Sequence, residues 1–86
     1  MANFIGGSAY AMSRDIAEGY ILLNAALLKK FSSAELSQLR HELGKVQKEI
    51  RSEQTPQNDV QAIQKRARKI SRISAALLIL DTLRRH

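Results

Sequence analysis

The amino-acid sequence predicts an all-α protein, a three-helix up-down-up bundle with a long C-terminal helix. Three observations carry this expectation. Apolar residues recur at helical spacing along most of the chain, and no run alternates with period two for long enough to form a strand. Leu, Ile and Ala dominate the apolar inventory, against two Tyr, two Phe and no Trp, which is the composition of helix-on-helix packing. Strong helix boundaries are confined to residues 31–36 and 52–59, so the 86 residues divide into three segments of a single domain.

The first helix is expected from about Ser8 to Lys30, after a flexible N-terminus of residues 1–7. One stripe holds Ala9, Met12, Ile16, Tyr20, Leu23 and Leu27, and a second holds Tyr10, Ala17, Ile21 and Leu28. Apolar over most of its circumference, this helix is expected to be the central one. The second helix, about 33–52, has the clearest start. Ser32 and Glu35 form an S-x-x-E capping box, and Phe31 and Leu36 occupy the two positions of a hydrophobic staple. Leu36, Leu39, Leu43, Val46 and Ile50 then follow at 3-4-3-4 spacing, the seam of coiled-coil-like packing. Gly44 lowers the intrinsic stability of this helix by about 1 kcal/mol relative to Ala, and either permits a close approach or has no role.

The third helix is expected over about 56–85. Either Thr55 caps it with Pro56 in the first turn, or Asn58 caps it with Gln61 three residues on, and Asp59 suits the positive end. Its core stripe is read as Val60, Ile63, Ala67, Ile70, Ile73 and Leu77, and residues 75–80 are apolar all round.

Two surfaces stand out. The first is an apolar excess: one narrow seam cannot cover two helices that are each apolar nearly all round. Leu22, Leu28, Leu78 and Ile79 are the candidate docking residues, because exposed apolar patches mark interaction sites. The second is a basic stripe. The formal charge is +6, and residues 58–86 hold seven Lys/Arg against two Asp/Glu, so the excess lies in the last third. Lys65, Arg68, Lys69 and Arg72 share one face over about 10 Å, enough for salt-sensitive, sequence-blind contact with phosphates. The acidic row Glu35, Glu42 and Glu49 on the second helix offers the alternative of pairing between helices.

Catalysis finds little foothold. His41-Glu42-Leu43-Gly44-Lys45 places Lys where a zinc metallopeptidase helix needs its second His. There is no glycine-rich phosphate loop, no converging acid/base pair and no cysteine, so no cofactor or metal is expected and no disulfide forms. No stretch is long enough to span a membrane, and no secretory n-region precedes the first apolar run. A cytoplasmic location without membrane attachment is expected.

The sequence therefore points to a non-enzymatic protein–protein interaction module, an adaptor, assembly factor, inhibitor or regulatory subunit. Its expected partner is another protein or a second copy, since small domains without staples gain stability by association. A nucleic-acid-associated protein using the basic stripe is the alternative, and a small-molecule substrate is not expected.

Overall fold

The computed structural model describes residue 4, residues 7–54 and residues 57–84. Over these described residues it is all-α, with four helices: α1 (Ala9–Glu18), α2 (Ala25–Leu28), α3 (Ser33–Ser52) and α4 (Val60–Arg84). No strand occurs among the described residues. The extents are 45 × 25 × 18 Å, and α4, 25 residues long and so about 37 Å, sets the long axis.

The expected helix over 8–30 is two helices separated by a non-helical stretch. Gly19 adopts φ +86°, a left-handed conformation open to Gly and strained for other residues. The Gly19 N–H donates to the Ile16 carbonyl at 3.1 Å and the Tyr20 N–H to Asp15 at 2.9 Å, the paired bonds of a Schellman stop. Helix resumes only where the Asn24 side chain accepts from the Leu27 N–H at 2.8 Å. Tyr20, placed on a core stripe by helical spacing, is consequently 79% exposed.

The capping box at the start of α3 forms as expected. Ser32 Oγ accepts from the Glu35 N–H, and Glu35 Oε1 accepts from the Ser32 N–H at 2.8 Å. Leu39, Leu43, Val46 and Ile50 are wholly buried, so α3, rather than the first segment, carries the most completely covered seam. Phe31 is buried before it and stacks on Phe4, with ring centroids 5.5 Å apart. That contact ties down a residue expected in the flexible N-terminus. Apart from Phe4 and Gly7, residues 1–7 lie outside the described ones.

The Asn58 cap does not open α4. Thr55 and Pro56 lie outside the described residues, as do residues 85 and 86. Asp59 does the work in place of Asn58: its Oδ1 accepts from the Ala62 N–H at 3.0 Å, and its carbonyl from the Ile63 N–H. The expected α4 core stripe is also rotated. Ile73, Ala76 and Leu80 are buried, Ile70 and Leu77 are partly covered, and Val60, Ile63 and Ala67 are exposed.

α3 and α4 run antiparallel. Arg40 donates to Asp81, Gln47 to Ser74, and Arg66 to the Glu53 carbonyl, so rising numbers on α3 meet falling numbers on α4. Ser13, the one buried polar side chain among the described residues, donates its hydroxyl to the Ala9 carbonyl at 2.8 Å, which meets the demand that buried polar groups be bonded.

Two glycines give opposite predictions. Gly19→Ala forces a Cβ into the left-handed region, at about 1–2 kcal/mol, and sets it 3.0 Å from Arg72 Cζ. Its urea midpoint should fall. A Cβ on Gly44 meets nothing within 4 Å, so Gly44→Ala should raise stability by about 1 kcal/mol, or roughly 4–8 °C in Tm. A fall in Tm for Gly44→Ala would contradict the open space seen beside it.

Candidate functional site

The stop at Gly19 opens a concave surface beside α4. Beyond Gly19 the chain is non-helical through Asn24. Leu23 turns into the core at 4% exposure while Leu22 turns out at 84%. Ile16, Ile21, Leu22 and Leu23 form one wall of a groove of about 230 Å³. The opposite wall is α4, where Ala75 and Ala76 leave room that larger side chains would fill, with Ile79 beyond them.

Arg72 and Gly19 complete the lining. Arg72 Nη1 donates to the Ala17 carbonyl at 3.0 Å, one of the carbonyls that the end of a helix leaves without an intrahelical donor. Close by, Lys69 Nζ lies 2.9 Å from Glu18 Oε1. α1 has no basic residue in its last turn and ends on an acidic one, the wrong sign for its negative pole. α4 supplies both missing cations from outside. Hydrogen bonding to Lys69 is the main cause that holds the Glu18 carboxyl below its ordinary value of 4.5, opposed by partial desolvation.

The four expected docking residues thus separate. Leu22 and Ile79 both line the groove, Ile79 partly covered against the core. Leu78, next to Ile79 on the outer face of α4, is 68% exposed. Leu28 is a correction: at 1% exposure it belongs to the core and offers nothing to a partner. It follows the Asn24 cap on α2, whose change of direction aims it inward instead of continuing the α1 stripe.

The basic stripe separates as well. Lys65 and Arg68 are exposed, whereas Lys69 and Arg72 are occupied by the end of α1. The acidic row does not pair with the stripe in the way the spacing suggests. Glu35 closes its capping box, and Glu49 accepts from the Tyr10 hydroxyl at 2.9 Å. Arg40 and Asp81, at 2.6 Å, form an ion pair that joins α3 to α4. His41 is exposed on α3.

Reading the sequence by spacing alone missed Ile16, Ile21, Ala75 and Ala76 as groove residues, and Arg72 as the clasp of α1. The signal was present in Gly19, followed five residues later by the cap residue Asn24.

Acid titration tests the Glu18–Lys69 pair. A carboxyl with a depressed folded-state pKa contributes stability fully above its unfolded value and loses it as pH falls through the folded value. Stability should therefore drop as pH is lowered below 4.5, and Glu18→Gln and Lys69→Met should both flatten that part of the curve. Urea midpoints across a pH series would read it, and variant curves parallel to the parent's would refute it.

Comparison with protein-family models, with curated proteins and with solved structures found no match.

Proposed function

We propose that this chain is a non-enzymatic helical interaction module that takes an apolar anchor side chain of another protein into the groove between residues 19–23 and α4. The observation that carries the reading is an almost wholly apolar groove with Leu22 in its lining at 84% exposure, on a molecule that also exposes Leu78, beside the lining residue Ile79, at 68%. Singly exposed leucines are ordinary, but apolar side chains gathered around a concavity mark a docking surface. The size argues for a side chain over a small molecule. About 230 Å³ lies below the roughly 300–1,000 Å³ usual for ligand pockets, and a single buried anchor ringed by apolar contacts is the common centre of a protein interface.

In this proposal α1, α3 and α4 stand in up-down-up order and the module acts as an adaptor, assembly factor, inhibitor or regulatory subunit. The lack of cysteine suits a reducing, cytoplasmic setting. Among the described residues no helix is long and apolar enough to cross a membrane.

Leu22→Asp and Leu78→Asp test the surface with little risk to the fold, since exposed substitutions usually move stability by less than about 0.5 kcal/mol. The double variant should keep its thermal midpoint and lose most of the fluorescence that the parent induces in a hydrophobic-surface dye. Light scattering after gel filtration adds the association state. A strictly monomeric parent that leaves the dye unchanged would sink the reading.

A further inference from the structure

Among the described residues, the antiparallel register of α3 and α4 carries the start of α4 past the last residue of α3. The contact nearest that end joins Arg66 to the Glu53 carbonyl, just beyond the last residue of α3. α1 meets α4 further along, at Lys69 and Arg72. The first two turns of α4 therefore outrun both companions. They hold Val60 and Ile63 at 61% and 43% exposure, and Ala67 is exposed on the same side. At about 100° per residue the three lie within roughly 60° of arc, and their 3-4 spacing is that of a helix–helix seam. Arg66 borders the strip on one side and Arg68 on the other, with Lys65 beyond Arg68. No acidic residue occurs between Asp59 and Asp81.

We propose that this stretch docks an acidic amphipathic helix of another protein, its aliphatic residues on Val60, Ile63 and Ala67 and its carboxylates beside Lys65, Arg66 and Arg68. Charge selects the occupant. A second copy would set Lys65, Arg66 and Arg68 against the same three cations, and like charges across an interface cost several kcal/mol. A lipid surface rewards Trp, Phe and Leu on the apolar face, and this face has Val, Ile and Ala. Phosphates would engage the cations and leave Val60 and Ile63 in water. The surface lies on a different stretch of α4 from the Leu22–Ile79 groove and does not depend on the function proposed for it.

The test is fluorescence anisotropy at two salt concentrations with a synthetic helical peptide bearing Leu at seam positions and Glu at the flanks. Controls are a scrambled peptide of identical composition, a DNA duplex and vesicles containing phosphatidylserine. The amphipathic peptide should bind at least tenfold more tightly than the scrambled one. Ile63→Asp should remove at least tenfold of that affinity, Arg68→Glu should weaken it most at low salt, and Leu22→Asp/Leu78→Asp should leave it unchanged. Circular dichroism melts check that Ile63→Asp is folded, and Val60→Asp, at the more exposed position, carries the same test if it is not. Equal binding of the two peptides, tighter binding of duplex or vesicles, a dimer joined through this face, or full affinity in a folded Asp variant would each overturn the proposal.

Discussion

The end of α1 is the constraint on which the rest of the structure hangs. Gly19 turns the chain into a left-handed conformation, and α4 clasps the exposed helix end with Arg72 on the Ala17 carbonyl and Lys69 on Glu18. Glycine serves this junction twice, through its φ and through the missing Cβ that lets the guanidinium lie against the turn. Continuation of the helix would carry Leu22, Leu23 and Ile21 around a cylinder. The stop lays them along a non-helical chain instead, so one faces the core and its neighbour faces water.

The cations of α4 consequently divide their work along its length. A uniform basic stripe would favour any polyanion, because affinity for phosphates scales with the number of cations neutralising them. Lys69 and Arg72 spend part of that capacity inside the protein, where they offset a helix pole and an acidic terminal residue that would otherwise repel each other. Lys65 and Arg68 remain on the outside, beside an apolar strip, and the same helix is structural in its middle and outward-facing at its start.

Local chemistry explains what was readable beforehand. The capping box at Ser32 and Glu35 and the seam from Leu36 to Ile50 each depend on residues within a few positions of one another, and α3 appears over the range that they define. The α4 stripe was misassigned because its helix is apolar on more than one side. Spacing then admits several faces, and only the positions of α1 and α3 select Ile73, Ala76 and Leu80 for burial. Leu28 was set on the surface for a different reason, the expectation that one helix runs on past Gly19.

By itself the sequence determined the helical class, the start and seam of α3, and the concentration of positive charge in the last third, since periodicity, capping and composition act at short range. Tertiary structure decided the rest: which side of α4 is core, which of its cations are engaged, and that Ala75 and Ala76 face the stretch after Gly19 to leave a groove. Those outcomes turn on where one helix ends beside another. The physical reason is that an apolar or charged side chain acquires its role from the neighbour that covers it, and that neighbour is as many as 55 residues away along the chain.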